Sequence, residues 1–139
     1  MPDNLSRFID AQAKHYPMAL AEIRSGRKRS HWMWYIFPQL AGLGFSSLSV
    51  EYGIRDLEEA KAFLKHPVLG LRLREISQAL KELPGNDATA ILGTPDDLKC
   101  RSCMTLFEAA DPKEEVFRLV LKKYFNGEGD TRTLELLSH

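Results

Sequence analysis

Two stretches of the chain hold residue types that can do chemistry. The first is Arg24-Ser25-Gly26-Arg27-Lys28-Arg29-Ser30-His31, with four cations between positions 24 and 29. It runs straight into His31-Trp32-Met33-Trp34-Tyr35-Ile36-Phe37-Pro38-Gln39, which contains both tryptophans of the protein. Lysine or arginine beside the free N–H groups of a helix start attracts anions. Imidazole is the commonest acid or base near neutral pH, which makes His31 the candidate catalytic residue. Trp32, Trp34 or Tyr35 offers a stacking face for a base or a sugar. The competing reading is a solvated basic loop whose charges complement the end of the preceding helix.

The second stretch is Lys99-x-x-Ser102-x-x-Thr105. Three-residue spacing puts a cation and two hydroxyls near one helical face. Against this stands the common habit of helical hydroxyls to bond their own backbone. The two stretches need each other. An exposed ion pair is worth only about 0–1 kcal/mol, so a lone basic loop holds phosphate weakly. A second wall that excludes water makes each charge count for more. The expectation is one cleft lined by Lys28 and His31 on one side and by Lys99 or Ser102 on the other. Lys28 is expected at its surface, where replacement by alanine leaves the fold nearly as stable.

Other motifs have weaker claims. Cys100-x-x-Cys103 would need a second cysteine pair or two histidines to hold zinc, and His15, His31, His66 and His139 are scattered. A redox pair wants a strand-to-helix setting, whereas these cysteines fall within a predicted helix. They read as small hydrophobes on a core face. His66-Pro67 marks a helix joint, where a histidine bonds a nearby carbonyl or ends the preceding helix. The chain has no Gly-x-Ser-x-Gly elbow, no Walker loop and no Gly-x-Gly-x-x-Gly. Neither a metal nor a cofactor is expected.

Composition bounds the function classes. The 139 residues fit one domain over positions 1–139, and 44% hydrophobic with 27% charged content is that of an ordinary globular protein. The formal net charge is zero, so no global field attracts nucleic acid or an acidic membrane, and an anion site must be local. No apolar run approaches the roughly 18 residues that span a bilayer. Met1-Pro2-Asp3-Asn4 does not begin a secretory signal. A cytoplasmic protein with reduced thiols is expected.

The elements that must position these residues are helices. Leu5, Phe8, Ile9, Gln12, Tyr16, Leu20 and Ile23 recur at helical spacing from about Asn4 to Arg24, with Asp3 or Asn4 as the cap. Pro17 either kinks that helix or opens a second one. Gly26 suits its stop. Ser30 caps a short aromatic helix that Pro38 ends. Asp56 with Glu59 forms a capping box. Pro67 starts the next helix, with Val68, Leu71, Leu73, Ile76, Leu80 and Leu83 inward. A short helix follows from about Ala88 to Leu92, then one from a Thr94 cap through Phe107, one from Asp111-Pro112 through Phe125, and a last short one from Asp130. No stretch alternates like a strand, and Tyr52-Gly53-Ile54 reads as irregular. The prediction is an all-α orthogonal array of about seven to nine helices. Its core should hold Phe8, Phe63, Leu73, Ile76, Leu106, Phe107 and Phe117.

Gly26-x-Lys28-x-x-His31-Trp32-Met33-Trp34-x-Ile36-Phe37-Pro38-Gln39 resembles the signature of a bacterial family, domain of unknown function eighteen-ten, some members of which carry the label calpastatin. The resemblance continues through Gly42-Leu43-Gly44, Ser49-x-x-Tyr52-x-Ile54 and His66-Pro67-x-Leu69-Gly70-x-Arg72-Leu73. It also includes Lys99-x-x-Ser102-x-Met104-Thr105-Leu106-Phe107 and Phe125-x-Gly127-x-x-Asp130, and so covers nearly the whole chain. Cys103 departs from it, at a place where relatives are expected to carry a small polar residue. The family is similar to a small multihelical mycobacterial protein of unknown function, which implies an all-α fold and brings no activity. Lys28, His31, Gln39, Tyr52, Lys99, Ser102, Thr105 and Asp130 are polar members of the pattern. Packing alone does not call for so many, and a shared polar cleft does. The resulting expectation is a small phosphorylated or nucleotide-like ligand bound by Lys28, His31, Trp32, Trp34, Gln39, Tyr52, Lys99, Ser102 and Thr105. One alternative is an interaction module that uses leftover aromatic surface with the basic run as its rim. Another is a hydrolase acting on a nucleotide or ADP-ribose glycosidic bond, with His31 as acid or base. Nucleic acid is the least favoured partner, since it needs a basic face.

Overall fold

The computed structural model describes residues 5–138. Among them are nine helices: α1 (Ser6–Arg24), α2 (Met33–Ile36), α3 (Ser47–Glu51), α4 (Leu57–Lys65), α5 (Leu69–Glu82), α6 (Ala88–Leu92), α7 (Asp96–Ala110), α8 (Glu115–Phe125) and α9 (Thr131–Leu137). The fold is all-α. The described residues contain no strand, only an isolated parallel bridge between Leu40 and Ile54. The expected caps Asp3 and Asn4 lie outside the described residues.

The helix at the centre is α7. Cys100, Ser102, Cys103, Met104, Thr105, Leu106 and Phe107 are all buried, so it has almost no solvent face along this run. A helix buried all round needs neighbours on every side, and α4, α6, α8 and α9 supply them. A file of phenylalanines stitches the layers together. Phe8 of α1 meets Phe63 of α4 at 5.2 Å, Phe63 meets Phe107 of α7 at 5.3 Å, and Phe107 meets Phe117 of α8 at 5.9 Å between ring centroids. Tilted and edge-on pairs at these distances add to the burial of the rings themselves. All seven residues expected in the core are at most 1% exposed.

Several local expectations meet a different outcome. Pro17 sits inside an uninterrupted α1 and opens no second helix. Ser30 does not cap α2. Its hydroxyl donates to Glu22 instead, and Trp32 occupies the cap position. Asp56 caps α4 through the Glu59 amide at 2.9 Å, but Glu59 does not complete the box. Its carboxylate is 2% exposed and is taken by the Arg55 amide at 2.9 Å and Arg7 at 3.2 Å. Thr94 donates to Asp97 rather than capping α7. Asp111 accepts the Lys113 amide in a turn, and α8 begins only at Glu115. Leu71, expected inward, is 65% exposed. His66 joins α4 to α5 by accepting from the amides of Val68 and Leu69 through Nδ1. At that joint Gly70 is obligatory, because a Cβ there would stand 2.1 Å from the Leu64 carbonyl oxygen. Tyr52-Gly53-Ile54 is more ordered than expected. Ile54 donates to the Gln39 carbonyl at 2.8 Å and accepts from Ala41 at 2.7 Å.

Candidate functional site

The basic run is organised by one residue that its own composition does not reveal. Glu22, in the last turn of α1, accepts from the Arg29 amide at 2.8 Å, the Ser30 amide at 3.0 Å, the Ser30 hydroxyl at 2.7 Å and the Trp32 indole at 2.9 Å. Partial burial pushes the Glu22 carboxyl up. The four donated hydrogen bonds outweigh it and hold the carboxyl down at about 2. The loop is therefore folded back on a carboxylate, and its amides from Ser25 to Ser30 are already engaged.

Lys28 points inward. Its amide donates to the Ile91 carbonyl at 2.7 Å, and its ammonium donates to the Ser30 carbonyl. The ammonium lies 5.0 Å from the Trp32 ring centroid and 3.0 Å from Asp96 in the first turn of α7. The side chain is only 8% exposed, so the expected surface lysine is a structural one. Asp96 is shared. Its other oxygen is 3.5 Å from Lys99, and Lys99 lies 4.9 Å from the centroid of Trp34. Two lysines, each over a tryptophan face, are thus joined by one carboxylate.

A concavity opens on the Lys99 side. In α2, a single turn, Met33, Tyr35 and Ile36 are buried, and Trp34 is left half-buried facing outward. Beneath it is a chamber of about 10 Å³, lined among others by Trp34, Gln39, Ser49, Tyr52 and Lys99. That is room for about one water molecule. Gln39, Gly44, Ser49 and Lys99 also line a groove of about 300 Å³, which continues to Leu98, Ser102, Asp130 and Arg132. Gly44 lets the loop close on α3, because a Cβ there would meet the Ser49 hydroxyl at 2.6 Å. Burial, and then the Glu51 carboxylate, pushes the Tyr52 phenol up, so it remains a protonated donor.

Trp34, Gln39, Tyr52, Lys99 and Ser102 are therefore brought together, and Lys28 adjoins them through Asp96. Four expected site residues line neither the chamber nor the groove, and the inward-pointing Lys28 is one of them, so the expected cleft shared by Lys28 and His31 with Lys99 or Ser102 is not formed. Trp32 is fully buried, and Thr105 is 2% exposed with its hydroxyl donating to the Arg101 carbonyl and accepting from the Asp130 amide. His31 is exposed and lines neither the chamber nor the groove. Sequence reasoning missed Glu22, Ser49, Asp96 and Arg132 as neighbours of the site. Asp96 left a readable signal in its three-residue spacing to Lys99, and Ser49 left one in the family-like pattern three residues before Tyr52.

The cysteines belong to the core. Both thiols are free and fully buried. Burial, and then the Asp97 carboxylate, pushes Cys100 up to about 12, and burial with the neighbouring Cys100 pushes Cys103 up as well.

A family model described as protein of unknown function (DUF1810) matches residues 2–137. No curated protein matches the chain. The crystal structure of the conserved hypothetical protein Rv1873 from Mycobacterium tuberculosis is 48% identical, with a TM-score of 0.98 over 100% of this chain and 99% of that one. No helix among the described residues is long and apolar enough to cross a membrane.

Proposed function

The chain belongs to the DUF1810 family of proteins of unknown function, and on that premise we propose that it binds a small phosphorylated ligand in the groove between the Gln39–Ser49 loop, α7 and the start of α9. One observation carries this reading. Gln39, Lys99 with Ser102, and Arg132 come from three separated segments and line one groove of about 300 Å³. Ligand sites are concave, with a few convergent polar groups, and a groove of this size is at the small end of the range.

Lys99 and Arg132 supply the positive charge. Lys99 is partly shielded from water, with its side chain 21% exposed, so its attraction for an anion is stronger than that of a free surface lysine. Arg132 is 62% exposed, is held among the described residues only by a 4.0 Å contact to Glu135, and can turn toward a phosphate. Ser102 donates to the Leu98 carbonyl and keeps acceptor capacity for a ligand hydroxyl. A reducing cytoplasm suits the two free thiols.

Thermal unfolding with inorganic pyrophosphate and with nucleotides tests the proposal. A ligand at about 100 times its dissociation constant should stabilise the protein by about 2.7 kcal/mol. Lys99→Ala and Arg132→Ala should each remove that gain. An unchanged shift in the double variant would reject the groove as the site. The interaction-module alternative draws on Phe45, 89% exposed, and Val50, 69% exposed, beside the same loop. The glycosidic hydrolase has less support, because His31 lies outside the groove.

A further inference from the structure

We infer that Gln39 selects the ligand by hydrogen-bonding the edge of a nucleobase, so that the groove takes a nucleoside monophosphate with its base inward and its phosphate outward. This rests on the phosphorylated-ligand reading and names the ligand class within it.

The backbone at Gln39 is fixed. Pro38 precedes it, its carbonyl accepts from Ile54, and Ile54 in turn accepts from Ala41. A half-buried side chain therefore starts from a firm base. Among the described residues, its carboxamide has no hydrogen-bond partner within the protein. The carboxamide is reached by water, which a ligand edge can replace. It is also not sealed off, since it lines both the chamber and the groove. A carboxamide presents a donor and an acceptor in one plane, which is the pattern that matches a nucleobase edge.

The walls are graded in chemistry. The inner end carries the rings of Trp34 and Tyr52, and the outer end carries Ser102 and Arg132, with Lys99 common to both. Guanidinium and ammonium groups hold phosphate, which sets its place toward Arg132 at the outer end. The inner chamber, about 10 Å³, is too small to admit a base. The base must lie across its mouth, where Gln39, Gly44, Ser49 and Lys99 meet. The groove itself, about 300 Å³, suits one base, one sugar and one phosphate, not a dinucleotide.

Isothermal titration of the full chain with the 5′-monophosphates of adenosine, guanosine, cytidine and uridine, and with ribose 5-phosphate, tests this. At least one nucleotide should bind about tenfold or more tighter than ribose 5-phosphate. Gln39→Leu should erase that advantage, so that no nucleotide binds this variant tighter than ribose 5-phosphate does, and Gln39→Glu should change which nucleotide is preferred. Thermal unfolding of both variants checks that they fold. If all nucleotides bind no tighter than ribose 5-phosphate, the inference falls and the phosphate groove stands. Selectivity that survives in Gln39→Leu overturns the role of Gln39. If none of these compounds binds, the groove reading falls with it.

Discussion

The protein contains two lysine–tryptophan pairs that are alike in residue type and in distance and differ in what surrounds them. Lys28 lies over Trp32 and Lys99 lies over Trp34, at 5.0 and 4.9 Å, and Asp96 touches both lysines. Trp32 is fully buried and bonded to Glu22, and Lys28 is 8% exposed. Trp34 is half-buried, and its lysine lines an open groove. The same residue types thus serve as a structural rivet on one side of Asp96 and as candidate binding surface on the other. A cation–π pair tells nothing of function until its exposure is known, because sealing both partners commits them to the fold.

The comparison breaks first, if it breaks, at the tryptophans. Trp32→Ala empties a sealed site and should cost about 3–5 kcal/mol, read from urea unfolding. Trp34→Ala removes a ring already half in water and should cost about 1–2 kcal/mol. Equal losses would mean that the two sides are not distinct in kind.

Glu22 anchors the sealed side, and its contribution depends on pH. Its folded value of about 2 lies below the ordinary 4.5, so the stabilisation is complete above the unfolded value. It is lost as pH falls through 4.5 toward 2. Glu22→Gln should cost about 1–3 kcal/mol at neutral pH and flatten stability across that acid range. A variant with an unchanged acid limb would show that Glu22 does not hold the loop.

The lysines should show the smallest difference. Lys28→Ala breaks a mostly buried ion pair and should cost about 1–3 kcal/mol, well short of a fully sealed pair because Asp96 keeps Lys99. Lys99→Ala should stay within about 1 kcal/mol. Melting points in the opposite order would reverse the assignment of the two sides.

The helical architecture was largely legible in the sequence because its signals are local. The α6 limits, Ala88 to Leu92 with Gly93 as the stop, follow from the sequence alone, as does the Asp130 cap on α9. So does the buried face of α4, Ala60, Phe63 and Leu64, since a 3.6-residue period is written along the chain, whereas α7, buried on all sides, has no such period to read. Where sequence reasoning failed locally, a tertiary partner had taken the group. Ser30 went to Glu22, and Glu59 went to Arg7 instead of finishing its capping box.

For the site, the residue types were readable and the grouping was not. Trp34, Gln39, Tyr52, Lys99 and Ser102 were singled out and line two adjoining hollows, with Gln39 and Lys99 common to both. Lys28, His31, Trp32 and Thr105 were singled out equally, and only the packed chain sent them elsewhere. The reason is physical. A helix cap or an apolar stripe is decided within a few residues, so the sequence by itself determines it. Whether a lysine on a tryptophan is buried or open depends on which distant helix lies across it. Here α7, some sixty residues further along the chain, brings in Asp96 to close one pair and Lys99 to form the open one.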